Sequence, residues 1–169
     1  MDTDPVVDTD ELNWRRQNPG GEYDAQIKDV SDSTPLEQLG LRLYRLEPGQ
    51  AAWPFHAHMA NEEVILIQQG EGTLRYGDEE YEVSAGDCLS FPADPDGPHK
   101  LKNTSDRELR YLCVSTMNEP DAIRYPDSEK IGVFAGEPPG GESDQRAFQG
   151  VYDINHEKSY WEGEVPEDD

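Results

Sequence analysis

The chain has 169 residues, room for one domain with a sizeable core but not for two. Thirty-seven Asp and Glu oppose fourteen Lys and Arg, a formal charge of −23, which argues against nucleic acid or an anionic membrane as a partner. No basic stretch leads into an apolar one near the N-terminus, and no apolar run approaches the ~20 residues that cross a bilayer, so a cytoplasmic protein is expected.

Residues 1–40 mix Asp, Pro, Asn and Gly with few apolar side chains and are expected to form an extended, partly ordered N-terminal arm. From residue 41 the pattern turns to short β-type runs at 41–47, 53–58, 63–70, 72–77, 79–84, 87–92, 99–103 and 108–116. Turn chemistry separates them, as at Pro48-Gly49, Gly77-Asp78, Ala85-Gly86-Asp87 and Pro95-Asp96-Gly97. Eight short strands at roughly ten-residue spacing predict an all-β sandwich or barrel of jelly-roll type over 41–116. Residues 117–169 return to Pro- and Gly-rich sequence but carry Tyr125, Ile131, Val133, Phe134, Phe148, Val151, Tyr152, Tyr160 and Trp161. A C-terminal arm that packs on the barrel or on a partner subunit is expected there. Cys88 and Cys113 both fall in predicted strands without ligand spacing and are expected to be buried free thiols.

The stretch "PFHAHMANEEVILIQQG", residues 54–70, carries the chemistry. His56 and His58 are two apart in a β context, so their side chains share a face, with Cα atoms about 6.6 Å apart at roughly 3.3 Å per residue. Glu62 and Glu63 open an otherwise apolar strand, where a carboxylate needs a charged partner. Alternation does not choose between them, because Val64 and Leu66 are as apolar as Ile65 and Ile67. His99 opens another strand after a Pro/Gly turn, and His156 lies in the charged tail, where solvation accounts for it.

These residues resemble the cupin superfamily, in particular its small, single-domain conserved-barrel members. His56-Ala57-His58, the four-residue gap, Glu63 and Gly70 follow the first cupin motif, with Gly49 one residue farther from His56 than the pattern. Gly86, Pro92, His99 and Asn103 keep the spacing of the second motif, while "ADPDGP" between Pro92 and His99 is two residues longer and displaces Gly97. The resemblance selects Glu63 over Glu62 and implies a double-stranded β-helix, the cupin barrel. Its metal ligands would be His56, His58, Glu63 and His99. Such a set of three imidazoles and one carboxylate takes one divalent metal ion, with Zn, Mn and Fe the leading candidates.

Two functions are compatible with that site. One is a metalloenzyme of dioxygenase or isomerase type, an oxidoreductase or isomerase acting on a small oxygenated metabolite. The other is a non-catalytic module that binds a sugar or carboxylate in the barrel beside a structural metal. Arg75, Arg110, Tyr76, Tyr111 and Asp87 are the candidates for further chemistry, and none stands out. A homodimer is expected from the habit of small cupins and the aromatic C-terminal arm. Only five of the fourteen cations are lysines, a composition that resembles that of haloarchaeal cytoplasmic proteins.

Overall fold

The computed structural model describes residues 5–139, 141 and 143–165. Thirteen strands account for almost all of its regular structure. They are β1 (Arg15–Gly20), β2 (Tyr23–Asp29), β3 (Leu39–Leu46), β4 (Ala57–His58), β5 (Glu63–Gln69), β6 (Glu71–Tyr76), β7 (Glu79–Ser84), β8 (Cys88–Phe91), β9 (His99–Lys102), β10 (Leu109–Thr116), β11 (Asp121–Tyr125), β12 (Lys130–Ala135) and β13 (Phe148–Asp153). Among the described residues no helix is long and apolar enough to cross a membrane.

A six-stranded antiparallel sheet runs in the order β1-β2-β3-β10-β5-β8; the other strands form a three-stranded sheet, β7-β6-β9, and a four-stranded one, β13-β12-β11-β4. The first two enclose one apolar core. Ile27, Leu46, Ile65, Ile67 and Leu109 of the large sheet meet Leu74, Val83 and Leu101 of the small one, and Tyr44 stacks on Tyr111 at 4.8 Å. This is the jelly-roll barrel expected from the strand pattern, in the double-stranded β-helix form that the resemblance implied.

Strand alternation decides what faces inward. On β5, Ile65 and Ile67 are buried while Val64 and Leu66 lie outside. Register across β3, β10 and β5 then builds three rows: Gly40, Ser115 and Glu63 in one, Arg42, Cys113 and Ile65 in the next, Tyr44, Tyr111 and Ile67 in the third. The polar rows open toward a cavity, and the third joins the core.

Two glycines, one at the turn between β5 and β6 and one within β6, are fixed by conformation or space. Gly70 has φ 84°, and a Cβ there would fall on the Glu108 carbonyl oxygen. At Gly72 a Cβ would meet the Lys102 carbonyl oxygen, so β6 and β9 approach only because the side chain is absent. Asn103 is fully buried: its amide donates to the carbonyls of Leu46 (2.9 Å) and Arg107 (2.7 Å), and its Oδ1 accepts the Ser105 N–H at 3.0 Å, shaping the turn into β10.

Several local expectations are revised. The strand expected at 53–58 shrinks to β4, with an isolated bridge from His56 to His99, because Pro54 has no N–H to offer a ladder. Within 1–40, residues 15–29 form a hairpin whose Ala25 and Ile27 enter the core. Within 117–169, β11 pairs with β4 and carries β12 and β13 beside it, whereas Tyr160 and Trp161 remain exposed. Cys88 is exposed on the outer face of β8, and Cys113 is half-buried at the cavity.

Candidate metal centre

His56, His58 and Glu63 bring one ligand atom each within 4.8 Å of one another. β4 and the segment before it supply the two imidazoles, and the first residue of β5 supplies the carboxylate. The Nε2 atoms of His56 and His58 lie 3.9 and 3.8 Å from Glu63 Oε2. Their other nitrogens are tied down: His56 Nδ1 donates to the Pro54 carbonyl at 2.7 Å, and His58 Nδ1 donates to Asp121 Oδ2 at 2.6 Å. Because a carbonyl or carboxylate can only accept, each Nδ1 carries the proton, and in the neutral ring each Nε2 offers a lone pair.

His99 joins from β9 in a different way. Its Nε2 donates to Glu63 Oε2 at 3.0 Å, its ring stacks on Phe91 at 3.7 Å, and its Nδ1 is buried without a partner among the described residues. The structure therefore gathers all four residues singled out in the sequence, three as a converging donor group and the fourth as the hydrogen-bond donor to the carboxylate. His156 stands apart, exposed and bonded to Asp153.

Electrostatics favour ligand protonation states in part. Burial, and then the charge of His99, lowers the His56 pKa to about 3, so that ring is neutral at pH 7. Burial opposes ionisation of Glu63, but the His99 hydrogen bond and the three neighbouring imidazoles outweigh it and hold the carboxyl near a pKa of about 2. For His58, burial is outweighed by Asp121 and Glu63, and its pKa is raised. A cation at the lone pairs would compete with that proton. The donor set, two directed imidazole nitrogens and an ionised carboxylate with a third imidazole in contact, fits a divalent transition metal ion.

Above these residues lies a cavity of about 280 Å³. Its walls come from β3 (Gly40, Arg42, Tyr44), β10 (Cys113, Ser115, Thr116), β11 (Ile123, Tyr125) and the stretch after β12 (Pro138, Pro139, Arg146), with Trp53 and Asn61 from loops. The sequence reading missed Asp121, Cys113, Tyr125 and both cavity arginines. Alternation from Tyr111 would have turned Cys113 inward, where its Sγ lies 3.8 Å from Glu63 Oε1; Asp121 and Arg146 lie beyond the barrel, where no pattern marks them. The other candidates have structural work. Arg75 binds Asp127 and covers Phe55, Arg110 binds Glu108, Asp87 accepts the Ser84 N–H at 2.7 Å, Tyr76 packs near Phe91, and Tyr111 is in the core.

Comparison with known proteins agrees with this architecture. Residues 42–115 match the family described as Cupin domain (Cupin_2). An uncharacterised protein of Methanocaldococcus jannaschii is 37% identical over 60 residues, 36% of this chain and 46% of that one, so the match spans less than half the relative's length. Two solved structures superpose over nearly the whole chain, each with a TM-score of 0.75. One, from Acidithiobacillus ferrooxidans and provisionally assigned as a sugar phosphate isomerase, is 21% identical and covers 91% of this chain and 95% of its own. The second, a sugar phosphate isomerase of the cupin superfamily from Silicibacter pomeroyi, is 23% identical, with coverage of 90% and 94%. At those identities the likeness is one of fold. The strands around the His-Glu cluster thus lie within the stretch, residues 42–115, that matches the Cupin domain family, and the fold as a whole is similar to that of the two solved structures.

Proposed function

We propose that this chain holds one divalent metal ion, zinc, manganese or iron, through His56, His58, Glu63 and His99, and acts on a small oxygenated metabolite in the cavity above. The observation that carries this reading is the convergence of three donors within 4.8 Å at the base of a cavity, with both His Nδ1 atoms already committed elsewhere. When bound, such an ion supplies Lewis acidity, or a redox centre, to oxygen donors of a ligand. The chain's own part is to aim the imidazoles, keep Glu63 ionised and wall the ligand from bulk water with Trp53, Ile123 and Tyr125. An isomerase or a dioxygenase is compatible with this arrangement, and the two sugar phosphate isomerases of like fold illustrate the first class.

A non-catalytic binding module is the second reading, favoured by the engagement of Arg75, Arg110 and Asp87 in structural contacts. Elemental analysis of tag-free protein tests the metal: His58→Ala and His99→Ala should lose most of it, and His156→Ala should keep it. Equal content in all three variants refutes the site. A turnover screen of metal-loaded protein on hydroxy acids, diketones and sugar phosphates then separates enzyme from module, since tight binding without product supports the module.

A further inference from the structure

Arginine supplies nine of the fourteen cations of this acidic chain, and its placement is informative. Eight of the nine arginines lie within salt-bridge distance of a carboxylate. Arg146 is the exception among the described residues, and it lines the same cavity as His56, His58 and Glu63. Its guanidinium packs over Phe134, with 5.1 Å to the ring centroid. Nη1 donates to Gln149 Oε1 at 2.7 Å, and Nη2 faces the carbonyls of Pro138, Pro139 and Gly141 at 3.2, 3.1 and 3.4 Å. Nε is buried and has no hydrogen-bond partner among the described residues.

A second guanidinium lines the cavity from the barrel side: Arg42, inward-facing on β3 and anchored by Asp29 at 2.6 Å. Burial draws the Arg146 pKa below its usual value; Glu137 pulls it up, and the like charge of Arg42 pulls it down. Two cations share one cavity in a chain of net charge −23, Arg42 with Asp29 as its salt-bridge partner and Arg146 with no carboxylate within salt-bridge distance among the described residues. An anion in the cavity could accept from the Arg146 Nε–H with the Arg42 guanidinium on the opposite wall.

We infer that Arg146, backed by Arg42, is the anion-recognition end of the cavity, so that its ligand is a small oxygenated metabolite bearing a phosphate or carboxylate group. This rests on the proposed function in that the ligand's other oxygens face the His-Glu cluster. Arg146 is a binding and specificity residue, carried on the segment after β12 and not on the barrel itself.

The test uses the full chain loaded with metal, with inorganic phosphate and acetate as separate calorimetric probes. One of the two should bind saturably, and which one identifies the anionic group. Arg146→Gln should weaken that binding by about tenfold or more, as expected for a lost charge-assisted contact, and Arg146→Lys should retain part of it. Metal content and thermal midpoint serve as folding controls in both variants. His58→Ala should lose metal yet bind the probe as the parent does. The inference is overturned if neither probe binds, if Arg146→Gln binds as tightly as the parent, or if only His58→Ala loses the probe, which would put the anion on the metal. Unchanged metal content in His58→Ala would instead overturn the metal reading and leave the arginine result standing.

Discussion

Replacing Asp121 by Asn should weaken metal binding without removing any ligand. Asp121 is 1% exposed, and its two oxygens accept from different donors, Oδ2 from His58 Nδ1 at 2.6 Å and Oδ1 from the Ala60 N–H at 3.0 Å. An asparagine of the same shape can keep an oxygen on Ala60, but its NH₂ then meets the His58 N–H. The least costly remedy moves the imidazole proton to Nε2, the atom that faces Glu63 at 3.8 Å. His58 is then in the wrong tautomer for ligation, and a metal must displace that proton. Losing such an orienting partner lowers metal affinity by about 10- to 100-fold. In the absence of metal, loss of one buried charge-assisted bond should cost about 1–3 kcal/mol, or about 2–4 °C of midpoint per kcal/mol for a chain of this size. Chelator-competition titration gives the affinity, and thermal melts with and without metal give the rest. Asp153→Asn, which touches the same kind of pair at exposed His156, is the matched control. Parent-like metal affinity in Asp121→Asn would refute the orienting role.

Three further outcomes follow from other parts of the fold. Glu22 receives hydrogen bonds from Lys100 and Lys102, which lower its pKa in the folded state. Its contribution is therefore full above the ordinary glutamate range and lost as pH falls through the depressed folded value; the urea-midpoint gap between parent and Glu22→Gln should be open at neutral pH and close below about pH 4. Gly70→Ala should lose at least about 1–3 kcal/mol by denaturant titration, because φ is 84° and the added methyl meets the Glu108 carbonyl. Gly77→Ala, at φ 58° with open space around it, should lose less. Finally, the −23 charge predicts thermal midpoints that rise as KCl shortens the Debye length from about 30 Å at 0.01 M to about 3 Å at 1 M; a flat response would remove the halophilic reading of the composition.

The barrel was legible because its strands alternate and its turns are marked by Gly, Pro and Asp. Each of the eight runs between residues 41 and 116 has a counterpart among β3 to β10, displaced by a residue or two except at β4. The hairpin of β1 and β2 was hidden because "RRQNPG" has no apolar alternation and only Ala25 and Ile27 of β2 are apolar and buried. Asp29, also inward, is masked in sequence because the arginines that hold it, Arg15 and Arg42, lie 14 and 13 positions away. Of the site, the four residues in motif spacing could be read directly. Asp121 could not: its role exists only because β11 returns to pair with β4, placing it 63 positions from the imidazole it orients.

That return changes what counts as the site. The match to the Cupin domain ends at residue 115, and the ligand candidates all lie inside it. Yet the partner that fixes His58, an aromatic ring on β11 that stacks near His56, and the arginine without a salt-bridged carboxylate among the described residues all come from later residues: Asp121, Tyr125 and Arg146. A barrel with three histidines and a glutamate is compatible with many reactions, because fold and metal set only the kind of chemistry available. Selection among ligands must come from groups that reach the cavity without being part of the shared pattern. Here those groups are concentrated on β11 and the segment after β12, so the proposed function puts the choice of ligand mainly on residues outside the 42–115 match.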